Sequence, residues 1–97
     1  MSGQRFSIEV SGKGAVSAVR TDAPQAGSGR LYVYAPGAGA NLDDPFGRYL
    51  AERLPPAGLS VLRFQFPYTE AGKRRPDPAP ILINTVRSAV VRTLAMS

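Results

Sequence analysis

Apolar and polar residues alternate in the first part of the chain. Residues 6–10, Phe-Ser-Ile-Glu-Val, place an apolar side chain at every second position, which is typical of a strand with one buried face. A turn sequence, Ser-Gly-Lys-Gly, follows at residues 11–14, and a second alternating run extends from Val16 to about Arg20. The two runs predict an antiparallel β-hairpin.

The middle of the chain changes from strand spacing to helical spacing and back. Residues 31–35, Leu-Tyr-Val-Tyr-Ala, predict a buried third strand. The next apolar residues recur at the spacing of one helical face: Phe46, Tyr49, Leu50 and Leu54. Two prolines at residues 55–56 end that helix, and residues 59–66 give the strongest strand pattern in the chain. Strand, helix and strand predict a right-handed βαβ unit with a parallel strand pair.

The last part of the chain predicts a loop and a longer helix. Residues 67–79 are rich in proline and basic residues, which favours a loop. From about Pro80, apolar residues recur on one helical face: Leu82, Val86, Ala89 or Val90, and Leu94. The predicted fold class is therefore α/β, with a β-hairpin, a βαβ unit and a helix in one domain over residues 1–97.

The composition restricts the chemistry of the chain. Cysteine and histidine are both absent, so there is no thiolate zinc site and no histidine to act as a general base. We therefore expect no metal and no cofactor. The start of the chain lacks the apolar stretch of a signal peptide, and no apolar run is long enough to span a bilayer. We expect a cytoplasmic protein without a membrane partner.

The formal net charge is +5, but the positive residues are mostly scattered. Their one dense cluster is Lys73, Arg74 and Arg75, in the loop rich in proline. No aromatic residues interleave with it to stack on bases. We interpret the cluster as a solvated loop, with a weak polyanion site as the alternative, and expect no nucleic-acid partner.

A glycine-rich turn follows the third predicted strand. Residues 36–41 read Pro-Gly-Ala-Gly-Ala-Asn, and a strand, such a turn and a helix start together bring backbone N–H groups to one point. Position 42 is Leu, where a dinucleotide-binding loop needs its third glycine, and the Gly-Lys-Ser/Thr of a phosphate-binding loop is absent. Asp43 and Asp44 fit helix capping better than a carboxylate pair for acid–base catalysis. The turn is either purely structural or holds a ligand.

Four segments together resemble a known family. They are residues 36–41, the Asp-Pro-Phe helix start at 44–46, Val-Leu-Arg-Phe-Gln-Phe-Pro-Tyr at 61–68, and the basic loop with Arg-Pro at 75–76. This pattern resembles the small α/β-hydrolases of the testis-expressed-thirty and NSL-complex type, close to dienelactone-hydrolase-like proteins. The resemblance implies the N-terminal part of an α/β-hydrolase fold, with the fourth strand inserted between the second and third. It also implies a serine hydrolase that acts on ester or similar acyl substrates.

The resemblance assigns a role to the glycine-rich turn. In that family the first loop supplies part of an oxyanion hole, which by position makes the N–H of Ala38 the candidate donor here, with Gly37 and Gly39 shaping the turn. Fixed backbone donors stabilise the negative charge that forms on a carbonyl oxygen during acyl transfer. Tyr68 and Glu70 follow the fourth strand, at the edge where α/β sites form, and are candidate substrate-binding residues; the alternative is that they are ordinary loop residues.

Two departures from the family pattern affect activity. Pro36 stands where the family usually has histidine. The Gly-x-Ser-x-Gly motif is also absent, because Ser28 lies in Gly-Ser-Gly before the third strand, and without histidine a Ser-His-acid triad cannot form within these 97 residues. We expect an N-terminal portion with an incomplete sheet that is inactive alone. The alternative is a non-catalytic α/β module.

The third strand is expected to leave one edge unpaired. An open apolar edge exposes backbone donors and acceptors and promotes association between chains. We therefore expect the chain to be partly molten or to self-associate through residues 31–35, and expect a lysine in place of Val33 to reduce that association.

Overall fold

The computed structural model describes residues 3–24, 30–37 and 40–95. Within these residues the strands are β1 (Gln4–Val10), β2 (Gly14–Thr21), β3 (Arg30–Tyr34) and β4 (Leu59–Phe64). Its helices are α1 (Pro45–Arg53), a 3₁₀ turn (Pro55–Ala57), the short α2 (Pro67–Glu70) and α3 (Ala79–Ala95). The mixed α/β architecture agrees with the predicted fold class.

The four strands form one sheet in the order β1-β2-β4-β3. β1 and β2 are the predicted antiparallel hairpin, with Ile8 opposite Val16. β4 pairs antiparallel with β2, where Phe64 lies opposite Ala18, and parallel with β3. The predicted βαβ unit and the insertion of the fourth strand between the second and third are thus confirmed, and β3 lies at one edge of this sheet.

The main core lies between the sheet and α3. Alternate strand residues on this face are fully buried, among them Ile8, Ala18 and Phe64, and Ala89 of α3 packs against them. Thr85 and Thr93 are also fully buried, so the buried stripe of α3 runs at intervals of four residues. The prediction that Leu94 belongs to this stripe was wrong, since Leu94 is 64% exposed. Leu94 is one residue beyond Thr93, so its side chain is rotated about 100° around the helix axis from the buried stripe.

The opposite face of the sheet carries α1. Asp44 caps the helix as predicted, because its carboxylate accepts a hydrogen bond of 3.1 Å from the N–H of Gly47. The predicted apolar face is only partly buried, since Phe46 is 55% and Tyr49 50% exposed. Gly47 is buried against the side chain of Tyr34 on the sheet, and the half-exposed ring of Phe46 also contacts that of Tyr34, with 5.8 Å between the ring centroids. A glycine at the contact lets the helix approach the sheet closely and leaves both aromatic rings at the surface.

The segment after β4 differs from the predicted loop. Residues Pro67–Glu70 form one helical turn, in which the N–H groups of Thr69 and Glu70 both donate to the carbonyl of Phe66. Pro67 occupies the first helical position, where a missing N–H costs nothing. The carboxylate of Asp77 accepts a hydrogen bond of 2.9 Å from the N–H of Tyr68 and ties the following loop back to α2.

Candidate functional site

The predicted oxyanion loop leaves the carboxyl end of β3. Ala38 and Gly39 lie outside the described residues, so these two candidates stay predictions. Gly37 is exposed, and its carbonyl accepts a hydrogen bond of 3.0 Å from the N–H of Ala40. Pro36, which replaces the family histidine, is buried. The loop is therefore anchored at both of its described ends.

Leu42 fixes the far end of this loop. Its side chain is buried, and both of its backbone polar groups bond to side chains from the end of β4. The N–H of Leu42 donates to Oε1 of Gln65 at 2.9 Å, and its carbonyl accepts from Nη1 of Arg63 at 3.1 Å. The position of the loop is therefore set by the neighbouring strand, to which β3 is also paired.

Glu70 fixes the orientation of the Gln65 side chain. Its Oε1 accepts a hydrogen bond of 2.8 Å from Nε2 of Gln65 and a second one from the backbone N–H of Ser17 in β2. Burial acts to raise the pKa of Glu70, but these hydrogen bonds outweigh it and the pKa is lowered. Glu70 is thus ionised at neutral pH and acts on the loop through Gln65. Its predicted contact with substrate stays a prediction.

Asp44 and Tyr34 form a second hydrogen-bonded pair beside the loop. The hydroxyl of Tyr34 donates to Oδ2 of Asp44, the same oxygen that caps α1. This hydrogen bond is the main reason that the pKa of Asp44 is lowered and that the pKa of Tyr34 is raised to about 12. The carboxylate of Asp44 is therefore used in capping, which supports the structural interpretation of the acidic pair.

Arg63 is a partly buried cation beside the loop. Burial lowers the pKa of its guanidinium, and the charge of Asp43 partly opposes that effect. Its Nε is buried and has no hydrogen-bond partner within the described part of the chain. Arg63 and Gln65 were not predicted as site residues. A signal was present in the sequence, because Arg63 and Gln65 are long polar residues at alternate positions among the apolar residues at 61–66.

A cavity of about 470 Å³ adjoins the loop and α2. The described residues that line it are Asn41, Tyr68, Thr69, Gly72, Lys73 and Arg74. Tyr68 is buried and its ring stacks on that of Phe66, with 6.3 Å between the ring centroids. The structure thus brings Tyr68 and two residues of the basic cluster to the loop, whereas Glu70 and Arg75 are not among the described lining residues.

The described residues do not group into a metal site. Within residues 3–24, 30–37 and 40–95, no three acidic side chains come together in a way that could hold a metal ion. No helix in this part of the chain is both long and apolar enough to cross a bilayer. The chemistry available near the loop within the described residues includes backbone N–H groups, hydroxyls, amides, cations and the carboxylates of Asp44 and Glu70.

Comparison with known proteins identifies the family. A family model described as an alpha/beta hydrolase domain matches residues 28–97, which include β3, α1, β4, α2 and α3. The comparison with curated proteins and the comparison with solved structures each gave no match. The matched segment contains the whole βαβ unit and the loop that it positions. The chain belongs to the alpha/beta hydrolase family.

Proposed function

We propose that this chain supplies the oxyanion-hole loop of a serine hydrolase that acts on esters or similar acyl compounds, of the dienelactone-hydrolase-like type. The observation that carries the proposal is the double hydrogen bond to Leu42, which holds the loop after β3 against the end of β4. An oxyanion hole requires donors that are fixed before the charge develops. In alpha/beta hydrolases, one of these donors comes from the loop after the third strand.

The acyl substrate is proposed to occupy the cavity beside this loop. Asn41 belongs to the loop and lines the cavity together with Tyr68, which follows β4. Both residues thus lie at the carboxyl ends of a parallel strand pair, where open α/β sheets bind their ligands. We propose that Tyr68 contacts the substrate directly, and that Glu70 contributes by holding Gln65 in position.

The 97 residues are proposed to be inactive by themselves. They contain no histidine and no Gly-x-Ser-x-Gly motif, so a serine nucleophile with its base cannot be assembled from them. A hydrolase of this type needs these groups in addition to the loop. The isolated chain should hydrolyse p-nitrophenyl acetate no faster than a control protein of equal charge, and a fluorophosphonate probe should not label it.

The decisive experiment reads the coding sequence downstream of Ser97 and assays the product of its full reading frame. We expect a Gly-x-Ser-x-Gly motif there and esterase activity in the product. Ala38→Pro, which removes the proposed donor, should lower kcat about 10²–10³-fold with little change in KM. Ala38→Gly keeps the N–H and is the matched control. Equal activity of the two variants, or a reading frame without a nucleophile motif, would contradict the proposal.

A further inference from the structure

A groove lies between β1 and α3, at the edge of the sheet opposite to β3. Its volume is about 500 Å³. The β1 side is formed by Ser7, Ile8 and Glu9, in the middle of the strand. The α3 side is formed by two neighbouring rows of residues, each spaced by four positions: Asn84, Ser88 and Arg92, and Arg87, Val91 and Ala95. The groove is remote from the oxyanion loop and independent of the proposed hydrolase function.

The β1 side of the groove is an unpaired strand edge. Within the described part of the chain, β1 pairs with β2 alone. Alternate residues of such a strand direct their N–H and C=O groups away from the partner strand. These groups can form a ladder with an additional strand, which is how several peptide-binding domains take up extended ligands. The groove therefore has the backbone chemistry to bind an extended peptide.

The α3 side of the groove is cationic. Arg87 and Arg92 are both exposed and line the same groove. The guanidinium of Arg92 lies over the ring of Phe6, 5.4 Å from its centroid, which holds the cation on the β1 side of the helix. Arginine is well suited to bind carboxylates, because its planar group donates two parallel hydrogen bonds. Exposed Val91 adds an apolar surface between the two cations.

The two arginines face the groove from different sides of α3. Five positions along a helix correspond to a rise of about 7.5 Å and a rotation of about 140°, so Arg87 and Arg92 leave the helix in different directions. Both line the groove, and the contact of Arg92 with Phe6 turns its guanidinium toward β1. A ligand with several acidic side chains along its length is therefore needed to meet both cations. Glu9 places one carboxylate on the β1 side of the groove. Its negative charge repels acidic side chains, so a ligand strand should carry its acidic residues on the face toward α3 and not on both of its faces.

We propose that the groove between β1 and α3 binds an extended acidic peptide segment as an additional strand on β1. The acidic side chains of the ligand face Arg87 and Arg92, and its backbone pairs with residues around Ile8. The net charge of +5 adds a general attraction for acidic partners. The phosphates of a nucleic acid would bind the two arginines. A nucleic acid has no backbone N–H and C=O groups, however, that could pair with the strand edge.

The test measures binding of a short fluorescein-labelled peptide, in which Asp and Val alternate, by fluorescence anisotropy. A second peptide has proline in place of each valine, which keeps the charge and removes half of the backbone donors. A third alternates Lys and Val. A single-stranded DNA of equal charge is the fourth probe. We expect binding of the Asp-Val peptide at physiological ionic strength, at least tenfold weaker binding of the proline peptide and the DNA, and no binding of the Lys-Val peptide.

A pair of charge-reversal variants separates the groove from the general charge. Arg87→Glu with Arg92→Glu should weaken binding of the Asp-Val peptide about tenfold or more. Arg48→Glu with Arg53→Glu is the matched control on α1, where Arg53 likewise lies over an aromatic ring, that of Tyr49, at 5.0 Å. This control should retain the affinity of the unmodified chain. Thermal unfolding followed by circular dichroism verifies that both variants fold.

Amide hydrogen exchange supplies a second measurement on the unmodified chain. Binding of the Asp-Val peptide should slow exchange at alternate residues of β1, whereas β3 should be unaffected. The proposal is overturned if the proline peptide or the DNA binds as tightly as the Asp-Val peptide. It is also overturned if the α1 variant weakens binding as much as the α3 variant, because the attraction would then come from the overall charge.

Discussion

The backbone N–H of Leu42 donates a 2.9 Å hydrogen bond to Oε1 of Gln65, across the end of the parallel strand pair. Nε2 of Gln65 faces Glu70, so the two ends of this amide are not interchangeable. A carboxylate at position 70 requires a donor, and the Leu42 N–H requires an acceptor. The side chain of Gln65 provides both, which links the loop after β3 to α2 and β2.

Gln65→Glu should destabilise the fold because it removes the donor and places two carboxylates together. Loss of one hydrogen bond of this kind, with the added repulsion, is expected to lower the free energy of unfolding by about 1 kcal/mol. Adding Glu70→Gln should restore most of it, because the amide and the carboxylate then exchange roles. Urea unfolding followed by circular dichroism measures both changes.

Glu52→Gln is the control for this pair, since Glu52 is exposed on α1 and its neutralisation removes the same charge. It should not rescue Gln65→Glu. Exchange of the Leu42 amide should be faster in the single variant than in the double variant. Equal stability of the single variant and the unmodified chain would show that this hydrogen-bond network does not hold the loop.

The pair formed by Tyr34 and Asp44 predicts how stability depends on pH. The pKa of Asp44 is lowered on folding, so its contribution is present above the unfolded value of about 3.9 and is lost as the pH falls through the lower folded value. The pKa of Tyr34 is raised to about 12. Its contribution is present below the unfolded value of about 10 and is lost as the pH rises toward 12.

Tyr34→Phe should therefore reduce the melting temperature at neutral pH and flatten its decline in both acid and alkali. Tyr49→Phe is the matched control, because Tyr49 is half-exposed on α1 and has no carboxylate partner among the described residues. Thermal unfolding between pH 2 and pH 11 compares the two variants. Parallel pH profiles for Tyr34→Phe and the unmodified chain would mean that the hydrogen bond contributes nothing to folding.

The strands and the topology follow from local patterns. Alternation identified β1 and β2, and the aromatic and β-branched runs identified β3 and β4, because strand residues face two environments with a period of two. The ends of α1 were also predicted from local features, because an aspartate such as Asp44 can cap a helix and the two prolines at residues 55–56 end one. Helix faces were less predictable, because the closest contact of α1 with the sheet is at Gly47, while Phe46 contacts Tyr34 and stays half-exposed. The spacing of apolar residues does not reveal how closely a helix approaches a sheet.

The hydrogen bonds that hold the loop could not be predicted from spacing. Leu42 and Gln65 are separated by 23 positions, and their contact depends on the register between β3 and β4. The resemblance assigned a role to the glycines and to Ala38. The side chains that hold the loop come instead from the neighbouring strand, where sequence patterns distinguish buried from exposed positions but not one polar contact from another.

Gly47→Ala tests the close approach of α1 to the sheet. In an exposed helix this change stabilises by about 1 kcal/mol. Here the new Cβ would lie 2.8 Å from Cε2 of Tyr34, whose hydroxyl is held by Asp44. Overpacking costs about 1–3 kcal/mol, so we expect a net loss in the free energy of unfolding. Tyr34→Leu in the same chain should reduce this loss in a double-mutant cycle, and a stabilising Gly47→Ala would contradict the contact.

The edge formed by β3 provides the last prediction, which concerns self-association. Among the described strands β3 pairs with β4 alone, so a row of its backbone groups faces away from the sheet. Tyr32 lies on this strand and is 41% exposed, whereas Val33 packs against the main core. A lysine at Val33 would therefore disturb the core as well as the edge, and Tyr32→Lys is the better variant.

We propose that the isolated chain self-associates through this edge, and that Tyr32→Lys reduces the association because a charge on a strand edge disfavours pairing with another strand. Ile83→Lys is the control, since Ile83 is an exposed apolar residue on α3, away from β3. Sedimentation velocity over a range of concentrations should show association for the unmodified chain and for Ile83→Lys, and a shift toward monomer for Tyr32→Lys. If Ile83→Lys reduces the association and Tyr32→Lys does not, the contact between chains is formed by α3 and not by β3. A monomeric unmodified chain that unfolds in one sharp transition would show that the open edge is stable without a partner strand.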